Sequence, residues 1–570
     1  MTAVPVPSPS EPRQLDAAVE RLREGARAWA RAPVAERIAL ARSLLAGTVR
    51  VRERLVAAAC AAKGIPEGSP LAGDEWFGGP YVVVRMLRQL IGQLQRIERT
   101  GETELGPLYR TGDGRVATRV YPHGRLDAIL FMGVKAEVHF EEGADEERVR
   151  SARASFYKQR QPREEVCLVL GAGNVNSIPA TDVLTKMFGE GKACLLKVNP
   201  VNAYVGPFLE EAFADAIARG YLAVAYGGPE VGSYLTGHPG IDEVHITGSD
   251  RTHDLIVWGP PGPERAERMA RGRPLLQKAI SSELGNVTPI LVVPGPYDER
   301  QLAWQAENVA GMVTQNASFN CIAAKLLVTP GGWKERGPFL AQLERFLGLV
   351  PPRRAWYPGA EHRFRDLTEG RRAVRRIGAP APGTLPWTIL PGLDPADREE
   401  RAYRVEPFCS LLSEVSLGSN DPVEFLEHAV PFCNERVWGT LAATLVVHPA
   451  TLRDPRTAAA VEEAVRRLRY GTVVLNLWPG VAFAMGTAPW GAAPGSPLTD
   501  IQSGRGFVHN TLMLEHVDKV VVRGPLVSPV KMPYFPSHRT ADVLGRRLSA
   551  LEEQGSLAAL PGVLTAAFRA

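Results

Sequence analysis

The sequence predicts an α/β protein built from two Rossmann-like parallel-sheet domains, and three observations carry that expectation. Its 570 residues are too many for a single hydrophobic core. From Val166 onward, short apolar runs of strand length alternate with amphipathic stretches, the pattern of parallel strands joined by crossover helices. That series then restarts after Glu283, so the pattern occurs twice. In the first series strands are expected at 166–170, 193–197, 222–226 and 243–246, with helices near 179–188 and 205–218. The second places strands at 289–293, 325–328, 441–447 and 472–475, and helices near 299–314 and 422–429. In such sheets a ligand lies beyond the carboxyl ends of the strands.

The flanking segments follow in order. Residues 1–12 are rich in Pro and Ser and are read as a disordered N-terminus, without the apolar core of a signal peptide. From Leu15 to about Ala62 apolar residues recur at helical spacing (Leu15, Val19, Leu22, Trp29, then Ile38, Leu40, Leu44), which predicts two or three helices, with Pro33 suited to a helix start. Strand-like runs at 116–121 and 128–131, separated by Pro122-His-Gly-Arg, read as a hairpin within about 115–140. The charged stretch 141–165 reads as a surface excursion, and 541–553 as a helix near the C-terminus.

Composition narrows the function. The net charge of +4 is small for this length and no long basic run occurs, so nucleic acid is not an expected partner. The Arg-rich patch 362–376 is read as a solvated face, or else as a contact for an acidic substrate. No apolar run approaches the ~18 residues of a membrane span, so a membrane is not expected either. Six cysteines are scattered without metal-ligand or disulfide spacing, which predicts no metal site and fits a reducing, cytoplasmic location.

The chemistry centres on Asn316-Ala-Ser-Phe-Asn-Cys321-Ile-Ala-Ala-Lys325, where one cysteine sits between a turn of small polar residues and an apolar strand. A lone cysteine is more often a small buried hydrophobe than a nucleophile, so other landmarks must decide. They stand in fixed order: Ile246-Thr247-Gly248-Ser249, Ser282-Glu283-Leu284-Gly285-Asn286, Cys321, Glu406-Pro407-Phe408, Gly471-Thr-Val-Val-Leu-Asn476 and Pro489-Trp490-Gly491. With these motifs the chain resembles the aldehyde dehydrogenase superfamily over roughly residues 30–525.

The resemblance implies a set of roles. Cys321 is the nucleophile that adds to an aldehyde carbonyl, and Glu283 the general base that activates water against the resulting thioester. The oxyanion is held by the Cys321 N–H and an Asn side chain. Counting back from Lys197 without gaps favours Asn174, closeness to the Pro-started helix favours Asn176, and Asn174 is taken as the donor. The cofactor, NAD or NADP, is held by Lys197, by Thr247, Gly248 and Ser249 at a helix N-terminus, and by Glu406. Pro200, where NAD-preferring members often carry glutamate, leaves NADP admissible. Two departures stand out: Gly171-x-Gly173 is an incomplete dinucleotide fingerprint, and His253, read as a helix-surface residue, replaces an expected glycine.

In this frame residues 13–283 form the NAD(P)-binding domain, including a hairpin that projects to pair with a neighbouring subunit of a homo-oligomer. Residues 284–485 form the catalytic cysteine domain, and 486–570 a return segment with an interface strand and an extra helix that the family does not require. Loops 351–391 and 477–494, with Trp387, Trp478, Phe483 and Trp490, are expected to wall the substrate pocket and point to a hydrophobic or aromatic aldehyde. Two alternatives remain. Leu170-Gly-Ala-Gly-Asn174-Val also resembles the turn of luciferase-linked fatty acyl reductases, which suits an acyl thioester reductase, and a catalytically silent nucleotide-binding or assembly protein is the third reading.

Overall fold

A computed structural model describes residues 7–569. Two sheets organise the chain. The smaller has six strands in the order Gly504–Arg505, Ala279–Leu284, Glu243–Gly248, Val166–Leu170, Ala193–Lys197 and Leu222–Ala225, parallel except for the first. Every residue of Val166–Leu170 is buried because helices cover both faces, which is why that strand reads as an unbroken apolar run. Helices Pro12–Arg31 and Val34–Lys63 supply part of that cover. Leu15, Val19 and Leu22 pack on the sheet, and the Trp29 indole donates to the Met187 carbonyl at 3.0 Å.

The larger sheet has eleven strands, with Thr472–Leu475, Ala442–Val446, Pro289–Val292, Leu326–Pro330 and Leu411–Leu417 as its parallel centre. The chain crosses between the sheets at residues 285–288, so Glu283 ends one sheet while Cys321 precedes a strand of the other. A long helix between the N-terminal pair and the first strand, Pro80–Thr100, buries Tyr81, Val83, Leu87 and Leu94 and was not singled out in the sequence.

Three expectations change. The run 128–131 is not a strand: residues Arg125–Leu130 form a helix, and the partner of Val116–Tyr121 is Lys135–Phe140. A short apolar run has no period of its own, and here Leu126 and Leu130, four apart, share the face that packs inward. The two strands also pair within their own chain. Lys135–Phe140 pairs antiparallel with Val517–Arg523, which pairs in parallel with Thr472–Leu475, so the hairpin extends the larger sheet of its own chain. Of the segment expected to be disordered, residues 1–6 lie outside the described residues, whereas the Ser10 N–H donates to the Tyr226 carbonyl at 3.0 Å. Among the described residues no helix is long and apolar enough to cross a membrane.

Candidate active site

The turn that carries the cysteine is strained. Asn316, Ala317 and Ser318 have φ of 52°, 55° and 68°, three consecutive non-glycine residues in the left-handed region. Such a conformation persists only where its surroundings over-determine it. Here they do: the Asn316 N–H donates to Asp74 at 3.0 Å, its side-chain amide donates to the carbonyls of Asn174 (2.9 Å) and Phe319 (2.8 Å), and the Lys325 ammonium donates to the Ser318 carbonyl and hydroxyl at 2.9 Å each. Lys63, four per cent exposed at its side chain, ties this turn to its neighbour, pairing with Glu75 at 2.9 Å and donating to the Asn174 carbonyl (3.2 Å) and Asn316 Oδ1 (3.0 Å).

The result is a part-exposed Cys321 where two large cavities meet, one lined by Glu283, Gly285 and Glu406, the other by Trp478 and Phe483. Its thiol donates to Asn320 Oδ1 at 3.7 Å. Burial, and then the neighbouring Glu283 carboxylate, hold the thiol well above its ordinary pKa. Glu283 is buried at the end of its strand, and that burial, reinforced by Asp182, pushes its carboxyl up to about 8, while the Cys321 thiol and the Trp490 indole draw it partly back. Its Oε1 has no hydrogen-bond partner. A carboxyl that titrates near 8 beside a protonated thiol becomes a proton acceptor as the pH rises toward that value.

The two asparagines differ. Asn174 lines the Glu283 cavity beside Cys321, its amide donating to the Phe319 carbonyl at 3.3 Å. Asn176 faces away, donating to Glu75 at 2.9 Å and accepting from the Tyr204 hydroxyl at 3.0 Å, so both ends of its amide are committed to the scaffold.

Lys197, Thr247, Gly248, Ser249 and Glu406 all line the same cavity, of about 900 Å³, as Glu283 and Asn174. Ser249 caps the helix Asp250–Trp258, leaving its first N–H groups turned toward that space. Glu406 is raised in pKa by burial against the pull of Lys325, and its Oε1 also lacks a partner. Gly285 makes this approach possible, since a Cβ there would lie 2.8 Å from the Glu406 carboxyl carbon. The site has room, unpartnered acceptors and a helix terminus, a donor set that fits a dinucleotide.

Sequence reasoning missed several residues. Glu230 sits in the cavity near Lys197 and partly offsets the lowering of its pKa by burial. Arg363, from the Arg-rich patch, donates to the Pro407 and Phe408 carbonyls at 3.0 and 3.1 Å and so fixes the segment that carries Glu406. Arg371, from the same patch, pairs with Glu400, so these two arginines brace the loop, whereas Arg365, Arg372, Arg375 and Arg376 are exposed and form the expected solvated face. His253 is buried, not on the surface: it lies on the face of its helix away from the cavity, and burial lowers its pKa. Loop 351–391 does not wall the second cavity. Tyr357 and Arg363 line the dinucleotide side, and Trp387 is core, its indole donating to the Val350 carbonyl at 2.8 Å. Only the geometry of long-range contacts reveals these roles, since nothing local in the sequence marks them.

The two parallel-sheet units have the fold of solved aldehyde dehydrogenases. The chain aligns with NADP-dependent glyceraldehyde-3-phosphate dehydrogenase of Bacillus halodurans over 90% of this chain and 91% of the other, with a TM-score of 0.59 and 17% identity. It aligns as well with aldehyde dehydrogenase C of Pseudomonas syringae, solved with NAD+ and octanal, over 93% and 94%, with a TM-score of 0.56 and 17% identity. In sequence it is 29% identical over 140 residues to 4-trimethylaminobutyraldehyde dehydrogenase of Oryzias latipes, 24% of this chain and 25% of that protein. It is 27% identical over 161 residues to N-succinylglutamate 5-semialdehyde dehydrogenase of Ectopseudomonas mendocina, 28% of this chain and 30% of that protein. The matched segment thus spans under a third of these relatives. No protein-family profile matches the chain.

Proposed function

We propose that the protein oxidises an aldehyde to a carboxylic acid with NAD or NADP. The single observation that carries this reading is the placement of Cys321 between two cavities with Glu283 facing it. The Cys321 sulfur adds to the aldehyde carbonyl and its proton passes to Glu283. The new oxyanion is held by the Cys321 N–H and the Asn174 amide, which exchanges its bond to the Phe319 carbonyl for it. NAD(P), when bound, supplies the hydride acceptor. Glu283, once that proton has left to solvent, takes a proton from the water that attacks the Cys321 thioester; the carboxylic acid departs and the proton returns to the sulfur. Lys197 and Glu406 hold the two riboses of the cofactor, and Thr247, Gly248 and Ser249 its phosphates. At the Lys197 end Glu230 offers an acceptor to the 2′-hydroxyl of NAD, while Lys197 itself offers a cation to the 2′-phosphate of NADP, so either cofactor is used.

Glu283 favours this over acyl thioester reduction, because a base able to activate water drains the thioester toward acid. It also argues against a silent protein, as does Glu406. A homo-oligomer in the cytoplasm is proposed on the resemblance and on the six free thiols; strand Leu108–Arg110, at the margin of the larger sheet, is open to a second copy. The test is reduction of NAD+ and NADP+ by a panel of aldehydes, with Cys321→Ala as control. Acid formed with loss of turnover in the variant is expected. Acyl-CoA reduced by NADPH without acid formation from any aldehyde overturns it.

A further inference from the structure

The second cavity that reaches Cys321 encloses about 200 Å³ and opens to solvent, and its walls are mostly apolar, with Gln315, Asn320, Ser528 and Lys531 among the polar exceptions. One wall comes from the end of the chain. Helix Ala541–Gln554 contributes Leu544 and Leu548, and helix Leu560–Phe568 contributes Val563, Leu564, Ala567 and Phe568. The facing wall is the segment 129–132, whose Ile129, Leu130, Phe131 and Met132 also line the space.

Arg85 clamps both walls. Its guanidinium, one per cent exposed at the side chain, pairs with Asp127 at 2.9 Å in the helix before 129–132 and with the fully buried Glu552 in the C-terminal helix. Arg88 pairs with the same Glu552 at 2.6 Å. A buried arginine shared by two carboxylates is neutralised, so it fixes the walls without making the lumen polar. Asp74, also in the lining, is likewise committed, to the Asn316 N–H and Arg353. The outer end is apolar too: Ile129, Met132 and Phe568 are 39, 53 and 66% exposed, and all three line this one cavity. Exposed apolar side chains gathered at a cavity mouth mark a site that takes apolar matter.

We propose that this cavity receives the alkyl chain of a long-chain aliphatic aldehyde, with the carbonyl at Cys321, and that the C-terminal helix pair exists in this chain to complete the wall of the tunnel. The assignment rests on the proposed oxidation but is separable from it, because the tunnel binds an alkyl chain whether or not turnover follows. A small or charged aldehyde gains nothing from such walls, whereas each methylene removed from water adds to binding.

The full-length protein is assayed with straight-chain aldehydes from propanal to tetradecanal and with benzaldehyde, alongside binding of the fluorescent fatty acid cis-parinaric acid to cofactor-free protein. The expected result is a rise in kcat/KM of about fourfold per added methylene over the middle of the series, equivalent to about 0.8 kcal/mol each. Filling the tunnel from its C-terminal wall with Leu548→Trp lowers the dodecanal to propanal ratio of kcat/KM at least tenfold and weakens cis-parinaric acid binding. Ala567→Trp does the same from the neighbouring helix and stands in if the first variant does not fold, as judged by its melting curve. A flat chain-length profile with propanal oxidised, or benzaldehyde matching dodecanal, overturns the inference and leaves the oxidation standing. Parinaric acid bound and displaced by dodecanal, with no aldehyde oxidised, upholds the tunnel and removes the oxidation instead.

Discussion

Replacing Glu283 by glutamine tests the reasoning at its most exposed point. Burial raises this carboxyl from 4.5 to about 8. Each tenfold change in proton affinity corresponds to about 1.4 kcal/mol, so the folded state holds the proton more tightly than the unfolded chain by up to ~5 kcal/mol. That figure is an upper bound, since an ionised carboxylate draws in water and polar neighbours. The sign follows from the direction of the change. With the folded pKa raised, the contribution is complete below about pH 4.5 and is lost progressively as pH rises through about 8. Glutamine keeps the shape and cannot ionise. Denaturant melts of the two proteins at steps from pH 5 to 9 therefore diverge, the native protein losing several kcal/mol relative to Glu283→Gln. In parallel, acid production by the native enzyme rises with pH through an apparent pKa of about 8, whereas the variant falls by roughly 10²–10⁴ and loses that limb. A stability difference that stays constant over this range, or a variant that retains both rate and limb, refutes the placement of a buried, proton-accepting Glu283 beside the thiol.

Two more outcomes follow from the same geometry. Gly285→Ala puts a methyl group against the Glu406 carboxylate; it is expected to raise the KM for the cofactor about tenfold or more, the loss of one charge-assisted hydrogen bond, and fluorescence titration of NAD+ or NADP+ binding checks this. Lys63→Met leaves Glu75 as an uncompensated buried charge and frees the Asn174 and Asn316 turns, with an expected cost of about 3–5 kcal/mol, read as a lowered denaturation midpoint; an unchanged midpoint shows that the pair does not brace the site.

Much of the site was legible because its landmarks are local. Cys321 with its small-residue turn, Glu283 at a strand end, the Thr247–Ser249 turn and Glu406 each sit in a short run of recognisable chemistry, and the alternation around them defines two parallel-sheet units by periodicity alone. The choice between Asn174 and Asn176 was not legible, for both lie in one glycine-rich turn, and only the commitment of Asn176 to Glu75 and Tyr204 separates their surroundings. The helix at Arg125–Leu130 was misread because the four-residue apolar run 128–131 carries no period long enough to tell helix from strand.

Local periodicity therefore determined the fold class, and the motifs in their order singled out Cys321 and Glu283 as candidates through the resemblance they carry. The tertiary structure alone decided that the hairpin pairs within its own sheet, that Arg363 braces the segment carrying Glu406, and that residues of the final helices line the cavity that reaches Cys321. The physical reason is range. A strand or a turn is set by neighbours within a few residues, whereas the Arg85 clamp joins positions more than 400 residues apart, and no pattern in the sequence reports a contact that only burial creates.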